Sequence, residues 1–221
     1  MPVERFTRGN LPHWFVPGAF IFVTYRLFGT IPLTVIDELE GERARLVRAI
    51  PPDVPQRDAR HRINKILFAK YDAYLDAGTD IDWLRNPSVA KLVKDAIHFM
   101  RRKGFTVHCF SIMPNHVHLL IRGLEPNSSP DRNPLTKLMQ DHKSFTGRQA
   151  NALLGRSGHF WQDESYDHWV RDEQELENIV AYINGNPAKA GLCMTPVEWP
   201  WSSAAERFAM DGDTSGWLDE P

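Results

Sequence analysis

Cysteine is almost absent from this chain. Cys109 and Cys193 are the only two in 221 residues, and they do not form a CxxC pair. That excludes a disulfide framework and a cysteine-rich zinc module. No apolar run approaches the ~20 residues that cross a bilayer. The start, MPVERFTRGN, has no apolar stretch behind its basic residues, so no signal peptide is expected. Together these point to the reducing cytoplasm. A strong positive charge is missing too: the formal net charge is −2. The charge thus counts modestly against a nucleic-acid binder, which is usually basic, and any phosphate binding must come from local clusters. Internal repeats and low-complexity segments are also lacking. What remains is ordinary for a globular chain with a real core: 42% hydrophobic and 24% charged residues.

The pattern along the chain alternates strand-like and helix-like stretches. Ala19–Phe28 is rich in β-branched and aromatic residues and reads as a strand. Leu33–Arg48 reads as a helix, acidic early and arginine-rich late. Arg57–Leu75 is a second helical stretch, opening on a basic cluster. The helix begun by Asn86-Pro87-Ser88 carries Val89, Leu92, Val93, Ile97 and Met100 on one face and stops at Gly104. A hairpin follows, Phe105–Met113 and His116–Gly123, turned at Pro114-Asn115. Then come a loop (Glu125–Pro134), a helix (Leu135–Leu154), a last strand around Phe160–Gln162 and Tyr166–Arg171, and a helix from Asp172 that runs into Ile183–Pro187. This order predicts an α+β fold: a ferredoxin-like or RRM-like antiparallel sheet with helices packed on one face, plus extra helices. Residues 1–203 are expected to form one domain with a helical insertion at 51–86, and 204–221 a flexible tail. Cys109 is expected to be a small core hydrophobe, and His13 an N-terminal packing residue.

The chemistry concentrates in SIMPNHVHLLIR. His116 and His118 are two apart, so on a strand both imidazoles project from one face, with Val117 and Leu119 turned to the core. Two neutral imidazoles make half a metal site. An isolated His-x-His is more often a pair of strand histidines with no ligand, so the rest of the chain must decide. Tyr182 and Asn186 are four apart near the end of the last helix and share its face. Asn186 offers a hard oxygen suited to Mg2+ or Mn2+, and Tyr182 a hydroxyl that can act as a nucleophile. Spacing alone equally allows Tyr182 to pack and Asn186 to cap.

The motifs PNHVHLLI, FWQDESYDHWVRDE, YINGNPAKAGL and WPWSS, in this order, resemble the REP-associated tyrosine transposases, single-tyrosine members of the HUH nuclease superfamily. The resemblance runs from about Pro12 to Ser203. It implies that His116, His118 and Asn186 hold a divalent ion, Mg2+ or Mn2+, and that Tyr182 is the nucleophile. Insertion-sequence relatives carry Gln where Asn186 stands. It further implies a metal-dependent transposase, located with the nucleoid, that cuts and rejoins single-stranded DNA at REP-like hairpins through a 5′-phosphotyrosine. A monomer is expected, with a dimer as the alternative. DNA-binding candidates are Arg101, Arg102, Lys103, Lys137, Lys143 and Arg148. Phe160 and Trp161 are candidate stacking rings, although core packing suits them better. Lys189 is within reach of a phosphate, and His168 is expected to support the site from behind. Three rivals stand beside this reading. One is a domesticated hairpin-binding protein that no longer cuts. Another is a plasmid-type nicking enzyme, disfavoured because neither a second nearby tyrosine nor a P-loop is present. The last is a small-molecule metallohydrolase, which would need more clustered ligands.

Overall fold

Strand β3 (Phe20–Arg26) is the middle of the molecule. In this computed structural model, which describes residues 5–8, 12–15, 18–123 and 133–210, it pairs on both edges. In chain order the elements are β1 (Arg5–Arg8), β2 (Pro12–Phe15), β3, α1 (Leu33–Arg48), α2 (Gln56–Asp76) and α3 (Pro87–Phe99), then β4 (Phe105–Ile112), β5 (His116–Gly123), α4 (Pro134–Leu153), β6 (Tyr166–Trp169), α5 (Glu173–Lys189) and α6 (Ser203–Met210). The main sheet has the order β4-β5-β3-β6, antiparallel at every step, which is the ferredoxin-like arrangement. β1 and β2 pair as a separate ribbon in a stretch that sequence reading left without structure.

Local chemistry explains the element boundaries. The Asn86 side chain accepts from Ser88 N at 3.0 Å and Val89 N at 3.4 Å, and Pro87 fills the first helical position where no donor is needed. Asn133-Pro134 repeats the device at α4, with Asn133 accepting from Leu135 N at 3.0 Å. Gly104 then takes φ +81°, a left-handed geometry that glycine adopts without penalty, and turns the chain into β4. A bulge at His108 re-phases β4. Because the side-chain period is two, the extra residue lets Phe105 and Val107 face the same core as Phe110 and Ile112.

The crossover helices α3 and α4 cover one face, as expected, and the extra helices α2 and α5 cover the other. Alternation along β3 sends Ile21, Val23, Tyr25 and Leu27 to the larger core, where α3 and α4 pack. Cys109, Val117 and Leu119 are fully buried, as their alternation predicted. The other face carries a smaller cluster, Phe22, Cys109, Leu120, Val170 and Ile183, beneath α5. α5 is long enough to do this because it runs through Pro187 to Lys189.

α1 buries no side chain and is tied to α2 by Lys70, which reaches both Glu42 carboxylate oxygens at 2.7 Å. α2 is clamped harder. Arg26 Nε donates to Tyr71 OH at 2.7 Å, Asn115 Nδ2 to the Leu75 carbonyl at 3.0 Å, and Lys189 pairs with Asp76 at 2.9 Å. The WPWSS segment closes the open edge of β4: Ile112 N donates to Trp201 O at 2.8 Å and Phe110 N to Ser203 Oγ at 3.0 Å. Beyond it the chain is helical through Met210, inside the stretch expected as a tail. Most of the Glu125–Pro134 loop, the His13 side chain and 211–221 lie outside the described residues. No helix among the described residues is long and apolar enough to cross a membrane.

Candidate active site

β5 turns His116 and His118 to the face that α5 covers. Their Nε2 atoms stand 2.9 Å apart. Each ring is fixed through its other nitrogen, His116 Nδ1 by Asn115 Oδ1 at 2.6 Å and His118 Nδ1 by Thr24 Oγ1 at 2.8 Å. Such outer contacts select a ring tautomer and aim the remaining nitrogen. Burial, and then the nearby Lys189 charge, hold His116 down at about 3. Burial and then the His116 charge push His118 well below the usual range. Both rings are therefore neutral at ordinary pH, the form that binds a cation.

Tyr182 and Asn186 meet this pair within one chain. Asn186 Nδ2 lies 2.8 Å from His118 Nε2 and 3.2 Å from the Tyr182 hydroxyl, and the hydroxyl lies 3.4 Å from His118 Nε2. Phe22 lies under the His118 ring, with centroids 5.7 Å apart. The four side chains that sequence reading singled out are thus brought together.

Sequence reading missed Asp72. It projects from α2, is 3% exposed, and its Oδ2 accepts the Tyr182 hydroxyl proton. Its Oδ1 lies 3.4 Å from His118 Nε2. Burial raises the carboxyl to about 6, against the lowering effect of the Tyr182 bond. Burial, and then the Asp72 charge, push the Tyr182 phenol far above its ordinary value. The one available sequence signal was the spacing of Asp72 and Asp76 on one helix face, and nothing local tied that face to the hairpin.

The donor set fits a divalent ion. Ligand atoms of Asp72, His116 and His118 all lie within 4.8 Å of one another. Asp72 Oδ1 is a buried hard oxygen without a hydrogen-bond partner, a costly state that a cation relieves, and Asn186 Oδ1, also buried and unpartnered, reaches the same place on rotation of its amide, whose Nδ2 now faces His118. Two imidazole nitrogens and hard oxygens suit Mg2+ or Mn2+.

The other candidates are scattered. Lys137 pairs with Asp141, and Arg148 Nε returns to Ser144 O at 3.2 Å. Lys143 donates to the Gln162 and Asp163 carbonyls at 3.0 Å, and burial lowers it to about 8. All three stand on α4, across the sheet from Tyr182. Lys143 and Arg148 line a groove of about 620 Å³ there. Arg101, Arg102 and Lys103 are exposed in the turn after α3. Phe160 and Trp161 are core residues, 3% and 5% exposed. His168 Nε2 faces Glu175 Oε1 at 3.2 Å.

The structure thus sets a strand-borne histidine pair against a helix-borne tyrosine and amide. Residues 82–186 match the family described as "Transposase IS200 like". The matched segment contains His116, His118, Tyr182 and Asn186 but not Asp72. The chain is 30% identical over 107 residues to a Haemophilus influenzae protein that carries the name REP-associated tyrosine transposase. That match covers 45% of this chain and 58% of the relative, so the chain spans little more than half of the relative's length. Two solved structures are loosely similar. One is a REP-associated tyrosine transposase bound to a REP hairpin (TM-score 0.49, 15% identity, 97% of this chain and 95% of that one). The other is a transposase structure from Deinococcus radiodurans (TM-score 0.36, 13% identity, 78% of this chain and 93% of that one).

Proposed function

We propose that this chain is a metal-dependent strand transferase that cuts and rejoins single-stranded DNA at REP-like hairpins through a 5′-phosphotyrosine. The observation that carries the reading is the Tyr182 hydroxyl, bonded to Asp72 and 3.4 Å from a buried histidine of a neutral pair. The Tyr182 oxygen forms a bond to phosphorus, and its proton passes to Asp72 Oδ2. The bond from phosphorus to the 3′-oxygen breaks, and that oxygen leaves as a 3′-hydroxyl after taking a proton from solvent. The phosphoester bond is kept in the tyrosine link, so a second 3′-hydroxyl can reverse the step and join strands.

His116, His118, Asp72 and Asn186 would hold the divalent ion, which supplies Lewis-acid polarisation of the phosphate. Burial of the site keeps water from competing with the incoming hydroxyl. Because the phenol resists ionisation, the acceptor at Asp72 is essential to the proposal. All these groups come from one chain, which supports a monomer as the working unit.

The test is denaturing electrophoresis of the protein mixed with a labelled hairpin oligonucleotide and Mn2+. Wild type should give a covalent DNA adduct, and Tyr182→Phe and the His116→Ala, His118→Ala double variant should give none. An adduct on Tyr182→Phe overturns the assignment. A native-gel shift without any adduct means a hairpin binder that no longer cuts.

A further inference from the structure

α5 carries Gln174, Asn178, Tyr182 and Asn186 at four-residue intervals. At 3.6 residues per turn they form one stripe along the helix. Asn186 and Tyr182 end at the histidine pair. Gln174 and Asn178 continue along a groove of about 480 Å³ that Tyr182 also lines, a volume within the range of small-molecule sites. Its opposite wall is aromatic. Phe68 of α2 and Tyr166 of β6 stack with centroids 4.3 Å apart and planes at 28°, and both remain partly exposed. Phe22 meets Phe68 edge-on at 5.4 Å and floors the groove.

The charges at the rim are already matched. Lys65 pairs with Glu175, and Arg171 NH1 with Asp58 at 3.3 Å. Burial opposes the Glu175 charge, but Lys65, the Arg171 N–H and His168 outweigh it and hold the carboxyl at about 2. An anion entering here would have to displace a carboxylate from each cation. The uncharged part of a nucleotide would not.

We propose that this groove seats a nucleobase of the DNA strand next to the phosphodiester that Tyr182 attacks. The inference rests on the strand-transfer reading above and adds to it where the neighbouring base goes. Phe68 and Tyr166 give the ring a π surface, which every base can use. Asn178 and Gln174 give amide donors and acceptors for its edge. The phosphate is left to the histidine end of the stripe. α2, which lies wholly outside the family segment, thereby supplies both the proton acceptor Asp72 and the stacking ring Phe68.

The experiment measures affinity of the full chain for an oligothymidine strand and for an abasic strand of equal length, in EDTA so that nothing is cut. Wild type should bind the base-bearing strand about 5- to 150-fold more tightly, the range of one stacked base. Phe68→Leu should narrow that gap towards unity. Asn178→Ala, an exposed change that leaves the core alone, should cost about 2- to 10-fold for oligothymidine and nothing for the abasic strand. Equal affinities in wild type, or a gap that survives both variants, overturns the proposal. A protein that shows the gap but never forms a Tyr182 adduct keeps the base seat and loses the strand-transfer reading. An adduct former without the gap does the reverse.

Discussion

Tyr182 donates its phenolic proton to Asp72, a residue 110 positions earlier on a different helix. The two meet because α2 is clamped over the end of α5, with Lys189 of α5 tied to Asp76 one turn beyond Asp72. The pairing joins the strongest motif of the sequence to a segment that carried no motif at all.

Asp72→Asn keeps the shape of the side chain and removes the proton acceptor. Single-turnover adduct formation on a hairpin oligonucleotide should slow by about 10²- to 10⁴-fold, the usual contribution of a positioned base. A rate within a few-fold of wild type would mean that Asp72 only packs against the phenol.

Mn2+ should stabilise the folded chain. A ligand that binds only the native state at about 100 times its Kd adds about 2.7 kcal/mol, readable as a rise in Tm on titration. EDTA should reverse the rise, and His116→Ala with His118→Ala should abolish it. An unchanged Mn2+ response in that double variant would place the ion elsewhere.

His142 sits in the larger core, where its Nε2 is hydrogen-bonded with the Tyr25 hydroxyl at 2.8 Å. Burial, and then the Lys143 charge, lower it to about 3 from an unfolded value of 6.5. The folded state stays neutral while the unfolded state takes up a proton. Its contribution is therefore complete above pH 6.5 and is lost as pH falls from there towards 3. Between pH 7 and 5 the loss should be about 2 kcal/mol. Urea unfolding at the two pH values, compared with His142→Gln, isolates it, and the variant should show the smaller drop. Equal drops would refute the assignment.

Gly185 lies inside α5 without a positive φ, and a Cβ there would meet nothing within 4 Å. Gly185→Ala should stabilise the chain by about 0.5–1 kcal/mol by restricting the unfolded state. In a chain of this size that is a rise of about 1–4 °C in Tm. A fall in Tm would show that the helix end is under a constraint that the free space does not reveal.

Much of the architecture was legible because it is written in local chemistry. The helix start at Asn86, the stop at Gly104 and the alternation through Val117 and Leu119 depend on neighbours within a few residues. The β1–β2 ribbon was not legible, since strands of four residues carry little periodic signal. The basic candidates on α4 were chosen by charge alone. Charge does not say which side of a sheet a helix covers, and α4 covers the side away from Tyr182.

The amino-acid order by itself determined the two halves of the site, because a period of two in β5 and a period near four in α5 each force a pair of side chains onto one face. It also determined the strand–helix succession, through caps and breakers. Only the tertiary structure decided that α5 crosses the histidine face and that α2 delivers Asp72 and Phe68 to it. Those contacts span 64 to 110 positions, and the pairing across such a distance is set by which buried surfaces and ion pairs close together, not by any local preference of the backbone.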